Sequence, residues 1–262
     1  MRQLLMLAAA LLLATPAWAD FQAGLEAVKK GDYATAYKEW EPLAQQGDAR
    51  AQSNLGIMYA QGHGVRQDYA VAARWFQKAA DQHYAPAEHN LGFMYAHGHG
   101  VLQNYDEALR LYRDAARQGY PAAEYNIGFM YARGDGVQQD LGAAATWFRK
   151  AADKGYPLAQ YNLARLYLDG RGVETDAAAA AGWLRKAAEQ GDRDAQYELG
   201  QLYAEGKGVE SSMAEAYLWT TLAASQGHDA AGGRYEEISR QLTAQEVEAA
   251  EKRATEMRAK WQ

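Results

Sequence analysis

The stretch Leu91–Val101 reads LGFMYAHGHGV. The same frame returns as LGIMYAQGHGV from Leu55, IGFMYARGDGV from Ile127, LARLYLDGRGV from Leu163 and LGQLYAEGKGV from Leu199. Each copy begins 36 residues after the one before. A fixed period of this length marks a repeat array, in which every unit buries its apolar face against its neighbours rather than in one central core.

Working outward from the repeated stretch, each period divides into two helices. Ala51, Leu55, Met58 and Tyr59 fall at i, i+4, i+7 and i+8, the apolar stripe of an amphipathic helix, and the other four copies keep the pattern. The stripe ends in Gly-x-Gly-Val, at Gly62/Gly64, Gly98/Gly100, Gly134/Gly136, Gly170/Gly172 and Gly206/Gly208. Two glycines there predict a turn with positive φ. A phosphate loop would follow a strand, whereas this loop follows a helix and recurs five times.

Three residues past each valine stand Asp68, Asn104, Asp140, Asp176 and Ser212, all of the N-cap type, so a second helix opens there. Its expected buried residue is Trp75, Leu111, Trp147, Trp183 or Trp219, beside small alanines that allow close packing. Gly119, Gly155, Gly191 and Gly227 are placed to end it, with His83 as the exception. The phase gives five full units, 51–86, 87–122, 123–158, 159–194 and 195–230. A divergent capping repeat is expected over 20–50 and capping helices over 231–262, where Thr243-x-x-Glu246 is a capping-box pattern. The charges of that last helix, among them Glu251 and Arg253, predict a solvated outer face. The fold class expected is all-α, a solenoid of stacked antiparallel helix pairs.

Residues 1–19 read as a leader: Arg2, then apolar Leu4–Leu13, then Ala17-Trp18-Ala19 as a small-x-small cleavage site before Asp20. The apolar run is too short to span roughly 30 Å of hydrocarbon, and no other stretch is apolar enough for a membrane anchor. The chain is expected to be periplasmic or secreted. It has no cysteine, which removes disulfides, thiol nucleophiles, thiolate metal sites and lipidation through cysteine. The net charge of −6 lacks the basic footprint of nucleic-acid binding.

These residues resemble the Sel-one-like repeat (SLR) family, relatives of the tetratricopeptide repeats, over about residues 23–242. The shared pattern is A-x3-LG-x2-Y-x2-G-x-GV-x2-D-x3-A-x2-W-x3-A-x3-G; Ala164, Leu111 and Glu198 depart from it. The resemblance implies an α/α right-handed superhelix that binds proteins or peptides. Some cysteine-rich relatives are described as binding or hydrolysing β-lactams; the absence of cysteine and of any Ser-x-x-Lys here weakens that transfer.

Where copies differ, chemistry has room. One variable column runs Ser53, His89, Tyr125, Tyr161, Tyr197; a second Ile57, Phe93, Phe129, Arg165, Gln201; a third Gln61, His97, Arg133, Asp169, Glu205. Positions four apart share a helix face, and first helices line the concave side of a helix-pair solenoid. The expected partner-binding set is His89, Phe93, Tyr125, Phe129, Arg133, Tyr161, Arg165 and Tyr197, with Asn90, Asn126 and Asn162 clamping an extended backbone. The competing reading has some of these rings filling gaps between repeats, and the asparagines forming an internal ladder.

No cofactor and no metal is expected. His63, His97 and His99 lack the three or four convergent ligands of a zinc site and read as solvated loop residues. No nucleophile–base–orienter signature appears. The partner expected is an unnamed protein or peptide. The alternatives are an envelope enzyme or small-ligand protein acting on peptidoglycan-like or β-lactam molecules, and contact with cell-wall glycan through the tyrosines.

Overall fold

The computed structural model describes residues 17–261, and every regular element among them is a helix. In order these are α1 (Ala17–Lys29), α2 (Tyr33–Gln45), α3 (Ala49–Gln61), α4 (Tyr69–Ala80), α5 (Ala85–His97), α6 (Tyr105–Arg117) and α7 (Pro121–Arg133). There follow α8 (Leu141–Asp153), α9 (Pro157–Asp169), α10 (Ala177–Glu189), α11 (Arg193–Glu205), α12 (Met213–Ser225), α13 (Ala231–Ser239) and α14 (Ala244–Arg258). Of the expected leader, residues 1–16 lie outside the described residues. No described helix is long and apolar enough to cross a membrane.

The chain forms two compact units that divide between Asn104 and Tyr105. In the first, α1 pairs with α2 and α3 with α4, around Trp40, Leu43, Leu55 and Met58. In the second, α7/α8, α9/α10 and α11/α12 pair in succession, each stacking on the next through buried alanines and leucines such as Leu163, Leu184, Leu199 and Leu222. Each such leucine removed from water contributes about 1.5–3 kcal/mol. Within each unit the core therefore runs along the stacked helices rather than gathering at one centre.

The two glycines of each turn do different jobs, as Gly206 and Gly208 show. Gly206, at φ 66°, is the C-cap of α11, and its N–H bonds to Leu202 O. Gly208 meets the preceding repeat: a Cβ on it would stand 2.1 Å from Ala177 O, so the turn presses directly on the first residue of α10. Only a residue without a side chain permits that approach. The N-caps fall where expected, with Asp68, Asp140, Asp176 and Ser212 accepting from the N–H three residues on.

The second-helix core holds the expected Leu111 and Trp219, 2% and 3% exposed, and requires a correction in the other three copies. Trp75, Trp147 and Trp183 stay partly exposed, each stacked beneath the lysine three residues on, Lys78, Lys150 and Lys186, at 4.2, 3.8 and 3.9 Å. The deep position is the next residue, Phe76 or Phe148, 3% and 2% exposed. It faces the first-helix glycine; a Cβ on Gly128 would lie 2.7 Å from Phe148. Where the opposing residue is the narrower Leu184, the glycine column carries Ala164, and both are fully buried. That pairing gives the Ala164 departure a steric reason.

A buried polar ladder joins successive repeats. Gln52, Glu88, Glu124, Gln160 and Gln196 occupy one first-helix column and are 0–4% exposed. Gln52, Gln160 and Gln196 donate to Ala44 O, Ala152 O and Ala188 O at the end of the preceding helix, at 3.0, 3.1 and 3.0 Å. Each also accepts from a glutamine 30 residues on, Gln82, Gln190 and Gln226, at 2.8, 2.9 and 2.8 Å. One amide thus ties three helices.

At the C-terminus the expected capping helices are α13 and α14, and α13 has only nine residues. α14 opens at Thr243 with both halves of its capping box formed. Its charges stay exposed as expected, and two of them also reach α12: Tyr217 Oη donates to Glu251, and Arg253 pairs with Glu215. Trp261 Nε1 then reaches Glu189 O at 2.9 Å.

Candidate partner-binding face

In the first unit, the variable face of α3 and α5 exposes Ile57 and Phe93, 36% and 41% accessible. Between them opens a cavity of about 290 Å³ lined by Ile57, Ala60, Gln61, Tyr69, Phe76, Asn90, Phe93, Met94 and His99. Its aromatic walls are braced. Phe93 stacks on His97 with centroids 4.0 Å apart, and His97 Nδ1 lies 2.9 Å from Phe93 O, so that nitrogen carries the proton. Tyr69 stacks on His99 at 4.9 Å. His63 likewise stacks on Tyr33 at 4.3 Å. These last two pairings correct the reading of solvated loop histidines: the turn presses so closely on the preceding repeat that its histidine lands on an aromatic ring. His89 sits deeper, and burial pushes its imidazole down to about 4, against a smaller opposing effect from Asn90.

In the second unit the same columns carry charge. Phe129 is 39% exposed, but Arg133 lies over its ring at 5.5 Å and is tethered to Asp135 at 3.1 Å. Tyr125 packs among Phe148, Tyr156 and Phe129. Burial pushes its hydroxyl up. Tyr161 Oη donates to Glu198 Oε1 at 2.9 Å, while Arg165 Nη1 donates to both at 3.1 Å. Burial moves the Tyr161 hydroxyl up to about 12 and raises the Glu198 carboxyl above its ordinary range. Tyr197 stacks on His228 at 4.3 Å and accepts from Gln201 at 2.9 Å.

The tyrosines and asparagines therefore join repeats to one another. Tyr161 reaches the asparagine-column position of the next first helix, occupied there by Glu198. Tyr125 interacts with Asn162 in the same sense, and Tyr112 with Asn126. Asn162 Nδ2 is engaged with Leu158 O at 2.8 Å. Phe93 and Phe129 stay open to water, as do the flanking arginines in part. Tyr69, beside this face, gave no sequence signal because it sits in a second helix; its 38% exposure identifies it. Among the described residues no group of three or more histidines, aspartates or glutamates is arranged to hold a metal ion.

Stacked helix pairs with a variable first-helix face define a helical-repeat scaffold. The Sel1 repeat model matches residues 49–84, 85–120, 121–156, 157–192 and 193–228, and the chain belongs to that family. Each matched repeat opens two residues before the units phased from the sequence, at the start of the first helix. A Sel1 repeat protein from Oxalobacter formigenes is 30% identical, with a TM-score of 0.73, over 91% of this chain and 96% of that one. A Sel1 repeat protein from Klebsiella pneumoniae is 23% identical, with a TM-score of 0.52, over 78% of this chain and 99% of that one. A Pseudomonas aeruginosa protein is 21% identical, with a TM-score of 0.53, over 87% and 83%. The last two likenesses concern the fold alone. No curated protein matches the chain.

Proposed function

We propose that this chain is a non-catalytic, exported scaffold that holds a protein or peptide partner against the variable face of its first helices. One observation carries the reading. The exposed large apolar residues Ile57, Phe93 and Phe129 occupy one column of consecutive repeats, where no packing demand fixes an apolar side chain and later copies carry Arg165 and Gln201. Exposed large apolar side chains at one repeat position suit an interface and are a liability otherwise. The leader pattern at residues 1–19 supports export.

The test is capture of the partner by the wild-type chain and by a Phe93→Ala/Phe129→Ala variant. Both rings are exposed, so melting should be unchanged while capture falls at least about tenfold, a loss of about 1.4 kcal/mol. Unchanged capture would remove the aromatic column from the interface. Turnover of a chromogenic β-lactam by the pure protein would favour the enzymatic alternative instead.

A further inference from the structure

We propose that the cavity between α3, α4 and α5 seats one bulky uncharged side chain, aromatic or branched aliphatic, from an extended segment of the partner. This rests on the binding role proposed above and specifies its chemistry in the first unit. Three of the exposed large apolar residues, Ile57, Tyr69 and Phe93, line this single cavity rather than being scattered. Its volume of about 290 Å³ lies at the small edge of pockets that hold whole ligands, roughly 300–1,000 Å³. That size suits an inserted side chain.

The lining fixes the charge of the occupant. No carboxylate, amine or guanidinium lines the cavity. A charged side chain placed there would be desolvated without a counter-ion, which is costly. The contrast within the molecule is direct. At the equivalent positions of the second unit Arg133 covers Phe129 and is tied to Asp135, and further on Arg165 pairs with Glu198. There the ring comes with charge already matched. In the first unit the corresponding ring is stacked on His97, with His99 at its edge, 5.9 Å away. Rings held by such stacking lose little freedom when a partner binds, which is the condition for an anchor site.

The experiment is selection of a random peptide library on the immobilised full chain, followed by anisotropy titration of the selected peptides. The expected peptides share a Trp, Phe, Leu or Ile at one position. They should bind at least about tenfold more weakly to Phe93→Ala, and likewise to Ala60→Phe, which fills the cavity while removing nothing. Selected peptides without a shared bulky residue, peptides enriched in Lys or Arg, binding to both variants as tight as to wild type, or no binding peptide at all would overturn the assignment. Peptides that lose affinity only for Phe129→Ala would sink the cavity while leaving the wider first-helix face as the interface.

Discussion

Lys154 Nζ donates to Glu124 Oε1 at 2.7 Å across 30 residues of sequence, and the same amine reaches Gly119 O at 3.1 Å. In the other rungs seen in full two glutamines meet, and the first-helix amide itself supplies the N–H for the preceding carbonyl. A carboxylate at position 124 has no N–H to give; the lysine instead donates to that carboxylate and to Gly119 O, three residues past the carbonyl that a glutamine would reach. The two departures from glutamine compensate each other.

Separating them should be costly. Lys154→Ala leaves a buried carboxylate without its donor and is expected to destabilise the chain by about 2 kcal/mol, the scale of an unsatisfied buried polar group. Glu124→Gln with Lys154→Gln rebuilds the all-amide rung and should come within about 1 kcal/mol of wild type. Urea unfolding of the single and double variants measures both. A double variant as weak as Lys154→Ala would deny the compensation.

The two turn glycines should respond unequally to alanine. Gly206→Ala puts a Cβ on a left-handed residue, a cost of about 1–2 kcal/mol, with only Ser211 Cβ within 3.4 Å. Gly208→Ala adds a collision with the backbone of Ala177 at 2.1 Å, which only separation of the turn from α10 can relieve. Thermal unfolding should show the second change to be clearly worse. Equal losses would mean that the contact between turn and α10 contributes nothing.

His83 is the one non-glycine residue with positive φ among those described, at 58°, in the position held elsewhere by Gly119, Gly155 and Gly191. His83→Gly should raise stability by about 1 kcal/mol, because the left-handed backbone strains any residue with a Cβ. A lower melting temperature would show that the side chain, 3.7 Å from Glu88, contributes more than the strain removes.

Acid should weaken the first unit through His89. Its folded-state value of about 4 lies below the unfolded imidazole value of about 6.5, so between the two the unfolded chain binds more protons. The stabilisation is full above pH ~6.5, declines as pH falls, and is exhausted near pH 4, with a ceiling of about 3 kcal/mol. Unfolding at pH 7 and pH 4.5 should show a smaller difference for His89→Asn than for wild type. Identical differences would remove His89 as the cause.

The repeat was legible because backbone geometry leaves few alternatives. Gly-x-Gly-Val, the N-cap column and the alanine column each meet a demand that only a few residues satisfy. The polar ladder was not legible, since Gln52 and Gln196 look like polar interruptions of an apolar stripe until the carbonyl of another repeat is in place. Trp75 and Phe76 were misjudged by one position, a rotation of about 100° on the helix that decides which ring is buried. The partner-facing residues were legible in part. Variability marks Phe93, Phe129, Tyr125 and Tyr161 alike, and only their contacts separate exposed rings from those that join repeats.

Contact between a partner and the first-helix face is the proposal that all else rests on. The decisive experiment places a photo-cross-linking amino acid at Phe129, and separately at exposed Thr146 of α8, in the organism that carries the protein. The adducts are then identified by mass spectrometry. One defined protein should be attached through position 129 and absent at position 146. The same adduct from both positions, or from position 146 alone, would contradict it.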